Sequence, residues 1–270
     1  MTNRKPLWQL LPSVGLIACA LLLAACTTRL LSSSDSVVTR EFDFADFDKV
    51  EVSDAFVVQI RQGDEYRVTI EIDQKSLRDL EVKQNGKTLE IGFRPRSLNF
   101  FEFINLSDPV HRAEITMPSL VSVAAHDATH IEVHGFNTDG EALFKASDAS
   151  SIRGEIHTGE ARIKASNGSH IDLEGNRGDV EVEAEDVSAI TLVGEGRNAT
   201  IHADNASNIH MDRFTVQDAD VRASDASHVW LNATGRLDAD ARDASGIIYG
   251  GNPTLGKVSS RDASSINPLN

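Results

Sequence analysis

The stretch KASDASSIRGEI, residues 145–156, decides the fold, because the chain keeps rewriting it. KASNGSHI stands at 164–171, RASDASHV at 222–229 and RDASGI at 242–247. Aligned on their Asp or Asn, eight copies are anchored at Asp127, Asp148, Asn167, Asp186, Asn205, Asp225, Asp243 and Asp262. The steps between them are 21, 19, 19, 19, 20, 18 and 19 residues. A fixed period in this range is the mark of a solenoid, in which each repeat is one coil and cannot bury its apolar face without a neighbour.

The columns of the alignment give the coil its shape. Two residues after the anchors stand Thr129, Ser150, Ser169, Ser188, Ser207, Ser227, Ser245 and Ser264, all hydroxyls. Four after them stand Ile131, Ile152, Ile171, Ile190, Ile209, Val229, Ile247 and Ile266, all β-branched aliphatics. Two before them the residue is Ala in seven copies and Ser260 in the last. Apolar residues at every second position on both sides of the anchor are the strand period, and nothing recurs at three or four residues as a helix would require. The reading is an all-β chain, a right-handed β-helix with coils of about 19 residues.

An Asp two residues from a Ser invites a catalytic reading, but an active site needs one such pair and this chain has one per coil. Asp-Ala-Ser is read instead as the corner of the coil. There short polar side chains bond backbone groups freed by the bend, and Asp and Asn tolerate the dihedrals of a tight turn. In this reading the anchors lie in phase with the inward residues. Stacked carboxylates repel. Asn167 and Asn205 interrupt the run, while Asp225, Asp243 and Asp262 are consecutive. Backbone amides or a cation would have to satisfy them. No cofactor is expected. A calcium ladder is the alternative, but the glycine-rich nonapeptide of calcium-binding β-rolls is absent.

The chain opens with Arg4 and Lys5, an apolar stretch from Val14 to Ala25, and LAAC at 23–26. This reads as a secretory leader over residues 1–25. LAAC resembles the lipobox of bacterial lipoproteins, which implies acylation of Cys26 and a membrane contact through the lipid. Thr27 in place of Asp then implies the outer membrane. Residues 26–40 would be the lipidated Cys and a short tether, and residues 41–267 one β-helical domain, irregular over 41–120 and regular over 121–267. Cys19 would leave with the leader, so no disulfide is expected. The formal net charge is −15, or −17 without Arg4 and Lys5, which disfavours nucleic acid as a partner.

Within residues 41–96 the alternation continues, and a degenerate copy is anchored at Asp54 with Val58 and Ile60 at the expected offsets. Asp54 lies 73 residues before Asp127, close to four coils, which suggests the same solenoid with longer excursions. The order FDKVEVSDAFVVQIRQGDEYRVTIEID (47–73), GKTLEIGF (86–93) and AEITMPSLVSVAAHDATHIEVHG (113–135) resembles the autotransporter-adhesin head (GIN) domain family. The resemblance covers about residues 43–266 and implies a bacterial envelope protein with a β-helical domain, often a lipoprotein, and no catalytic residues.

Nine histidines prompt a metal reading, but no Cys or carboxylate completes a set at ligand spacing, so surface histidines are expected and no metal site. Phe100, Phe101 and Phe103 read as part of a loop capping the solenoid, or as an apolar contact site. No nucleophile elbow, phosphate loop or placed carboxylate pair marks an enzyme. The expected function is a non-catalytic surface module or adhesin with a glycan or protein partner. A polysaccharide-binding or polysaccharide-cleaving β-helix and a structural envelope scaffold are the alternatives.

Overall fold

The computed structural model describes residues 36–94 and 110–269. The expectations for the leader, Cys26, and Phe100, Phe101 and Phe103 lie outside the described residues.

Each regular coil contributes two strands joined at an Asp-Ala-Ser corner. The strand before the corner stacks in parallel on its counterparts to make a first face, as Val180–Ala184 does on Ala199–Ala203. The strand after the corner makes a second face, as His170–Glu174 does on Ala189–Glu195. The registers align the columns read from the sequence: Ile152 pairs with Ile171, Ile171 with Ile190 and Ile190 with Ile209. These four isoleucines are fully buried, as are Val182, Ile201 and Val221 facing them from the first face. Removing each such side chain from water is worth about 1.5–3 kcal/mol before chain entropy is counted. The Ala column allows the two faces to close tightly at the corner: Ala125, Ala146, Ala165, Ala184 and Ala241 are fully buried.

The corner is two consecutive residues in the left-handed region, at nine sites from Asp54/Ala55 to Asp262/Ala263. At each of the first eight, the second residue donates its backbone N–H to the carbonyl of the next coil's anchor, at 2.8–3.0 Å. A turn with both central φ values positive folds the strand back sharply and directs the anchor's side chain away from the core.

The irregular third departs from four coils. The Ala55 N–H bonds the Asp127 carbonyl at 2.9 Å, and Lys49–Val52 and Val57–Gln62 pair with Ser122–Ala125 and with His130–His134. The coils at Asp54 and Asp127 are therefore direct neighbours, and the strands described between them lie on the other side of the Asp54 coil. There Thr88–Phe93 and His111–Met117 add one more parallel layer. Leu80–Asn85 then pairs antiparallel with Thr88–Phe93, and Arg67–Asp73 with His111–Met117, followed by Val37–Phe42 on Arg67–Asp73. Antiparallel strands thus close the N-terminal end of the solenoid, which protects the parallel ladder from pairing with another chain. Phe56, where later coils carry the corner hydroxyl, packs with Phe93 at 5.6 Å and His111 at 5.3 Å between ring centres.

Candidate functional site

The corner column is the most repeated polar constellation, and the structure divides it into an inner and an outer half. The hydroxyls point inward. Ser150 Oγ accepts the Thr129 N–H at 3.1 Å, and Ser169 Oγ accepts the Ser150 N–H at 3.2 Å. Ser188, Ser207, Ser227, Ser245 and Ser264 continue the series at 3.1–3.3 Å, each hydroxyl oxygen accepting the amide one coil earlier. The series begins at Thr129, whose Oγ1 is buried without a partner. Ser169, Ser207 and Ser227 are wholly inaccessible. A nucleophile must reach a substrate; these oxygens are enclosed and already engaged.

The anchors point outward. Asp127, Asp148, Asn167, Asp186, Asn205, Asp225, Asp243 and Asp262 are all exposed, so the bend takes them out of phase with the aliphatic columns. The two asparagines relieve the repulsion directly: Asn167 Nδ2 donates to Asp148 Oδ1 at 2.9 Å, and Asn205 Nδ2 to Asp186 Oδ1 at 3.1 Å. Hydrogen bonds from Ser147 and then Asn167 hold the Asp148 carboxyl below its ordinary range. At Asp225 the neighbour is another acid. A hydrogen bond shared with Asp204 raises the Asp225 carboxyl, while Ser224 bonds Asp204 and keeps it low.

Outward from the corner, the first face is a lattice of alternating charge. Arg162 bridges Glu141 at 3.1 Å and Glu181 at 3.2 Å on either side, and Lys164 bridges Glu183 at 3.0 Å and Glu185 at 3.4 Å. The histidines are drawn into such contacts. His126 Nδ1 lies 2.7 Å from Ser147 Oγ and its Nε2 3.5 Å from Glu51, and His130 Nδ1 lies 2.7 Å from Ser151 Oγ. Among the described residues no three His, Cys, Asp or Glu side chains converge as a ligand set.

One buried cation had no sequence signal. Arg177, 6% exposed, donates to the Gly175 carbonyl at 2.7 Å and lies 5.8 Å from the centre of the Phe214 ring. Burial pushes its guanidinium down to about 10. It caps the carbonyls of the turn that precedes it, Gly175 and, at 3.4 Å, Glu174.

A sequence profile described as "Putative auto-transporter adhesin, head GIN domain" matches residues 46–253, most of the chain. The chain belongs to this family. Among solved structures, the fold is similar to a putative adhesin from Parabacteroides merdae (TM-score 0.79, 13% identity, 88% of this chain and 98% of that one). It is also similar to a putative adhesin from Parabacteroides distasonis (0.77, 13%, 87% and 98%). A third relative, also from Parabacteroides distasonis, is described as a putative lipid binding protein (0.75, 18%, 88% and 98%). At these identities the likeness is one of fold. No curated protein matches. Family and fold together mark an adhesin-like surface module.

Proposed function

We propose that this chain is a non-catalytic binding module of the bacterial cell envelope, exported by residues 1–25, acylated at Cys26 and held near the outer membrane by the tether to residue 40. The observation that carries the reading is the pair of outward faces. Parallel coils hold rows of side chains at about 4.8 Å pitch on a rod with a filled interior, a rigid surface suited to an extended glycan or protein partner. Seven of the eight repeated corner hydroxyls are buried, which argues against catalysis from the motif itself. A relative described as lipid binding suggests a different ligand, but an acyl chain needs a lumen, and here the aliphatic columns fill the space between the faces.

The test is a binding screen of soluble residues 27–270 against surface glycans, envelope polysaccharides and envelope proteins, with calcium and with chelator. Saturable binding supports the module. Loss of binding with chelator would turn the exposed carboxylate column into a calcium-dependent site, and no binding would favour a structural role. The anchor is tested separately: Cys26→Ala should abolish fatty-acid labelling and move the protein from the membrane to the aqueous fraction.

A further inference from the structure

The second face changes chemistry along the rod. In the column five residues after the corner, the early coils carry Glu132, Arg153 and Asp172, with Arg153 bonded to Asp172 at 3.3 Å. Over the next four coils that column reads Thr191, His210, Trp230 and Ile248. The column two residues nearer the corner reads Ala189, Asn208, His228 and Gly246. Neither holds a carboxylate, lysine or arginine. The matching eight positions on the first face, three and five residues before the corner, hold six charged residues, among them Glu181, Asp220 and Asp238.

Within this patch the rings are ordered by the coil stacking. Trp230 pairs with His210 across the coils, and the two rings lie 4.4 Å apart at an interplanar angle of 9°. His228, two residues before Trp230, lies 5.8 Å from it at 22°. Gly246 makes room for His228: a Cβ there would come within 2.9 Å of the imidazole Cδ2. Trp230, His210, Ile248 and Asn208 are half-buried, and His228 is exposed. Trp is the costliest residue to leave on an outer face, and aromatic enrichment with charge depletion is the composition of a recognition surface.

We propose that this patch, centred on Trp230, is a binding site for an uncharged saccharide. The proposal rests on the binding-module reading above. In a chain of net charge −15, a cationic partner would be drawn to the carboxylates of the first face and the corner, and an anionic one repelled. The neutral stretch suits a ligand with no charge of its own. The indole face toward His210 is covered by the imidazole, so a saccharide would meet ring edges and the hydrogen-bonding groups beside them, which here are Asn208, His210, His228 and Thr191. At its Thr191 end the patch borders an open concavity of about 570 Å³ lined also by Arg153, Asp172, Glu174 and Arg213, a charged lining ill suited to an acyl chain.

The experiment is a fluorescence and calorimetric titration with a panel of neutral gluco-, galacto-, manno- and N-acetylhexosamine oligosaccharides. It uses residues 27–270, which retain every strand described above and in which Trp230 is the sole tryptophan. The expected result is saturable binding with a change in indole emission, weakened at least tenfold by Trp230→Ala and by Thr191→Glu. The Thr191 change places a charge in the patch without touching the core. Lys164→Ala on the first face should leave the affinity unchanged. Saccharide binding that survives both patch variants overturns the site while leaving the module reading intact. Failure of the whole panel, or a protein partner captured through Trp230 instead, overturns the saccharide assignment.

Discussion

Val187 occupies the second corner position of its coil with φ at +63° and 72% of its surface exposed. Its side chain therefore contributes little burial, yet it is a β-branched residue held in the left-handed region. That conformation costs an L-residue about 1–2 kcal/mol. Glycine carries no such cost but loses about 0.5–1 kcal/mol more backbone entropy on folding. Val187→Gly should therefore stabilise the rod by about 1 kcal/mol, or roughly 2–4 °C in Tm for a domain of this size. The adjacent coil supplies the control. Gly168, at the same position with φ at +71°, has no atom within 4 Å of an added Cβ, so Gly168→Ala tests conformation free of contact. It should destabilise by a similar or smaller amount. Thermal unfolding followed by circular dichroism measures both. If Val187→Gly melts at or below the parent temperature, the corner does not strain its second residue and the reasoning fails.

Three further outcomes are expected. Ser188→Ala leaves the buried Ser169 N–H without its 3.2 Å acceptor and should cost about 1–3 kcal/mol in urea unfolding, whereas Ser264→Ala, at a half-buried site, should cost less because water can replace the hydroxyl. Ile190→Asp places an unpaired carboxylate in a fully buried column and should abolish cooperative unfolding, seen as a collapsed urea transition at neutral pH. Asp225→Asn should raise Tm at neutral pH. The fold holds the Asp225 carboxyl protonated above its ordinary range, so the stability this contributes is present in acid and lost as pH rises through the raised value. The gain of the Asn variant should accordingly vanish towards about pH 4, and a gain that persists there would rule out the shared proton with Asp204.

The periodic part of the fold was legible because a parallel coil repeats its inward residues in register. Ile152, Ile171, Ile190 and Ile209 announce a column by their spacing alone. The direction of the anchors was not legible. Alternation places Asp148 on the inward side, and only the doubly left-handed turn, which Ala149 does not advertise, swings it out. The region between Asp54 and Asp127 misled for a related reason: antiparallel strands such as Arg67–Asp73 alternate with the same period of two, so spacing alone cannot separate a hairpin from a coil. Trp230 stands in an outward column, where no packing requirement fixes residue type and a single aromatic carries little weight. The signal was a column that lost its charges over four consecutive coils.

The backbone hydrogen bonds between coils run along the axis of the rod. A pull applied along that axis, between Val37 at one end and Pro268 at the other, loads these interfaces one after another in series, so the terminal strand peels before its neighbours are strained. Each coil freed in this way releases about 19 residues, roughly 65 Å of chain. Under tension the domain would lengthen in uniform steps, acting as a shock absorber whose remaining coils stay folded while the load is shed.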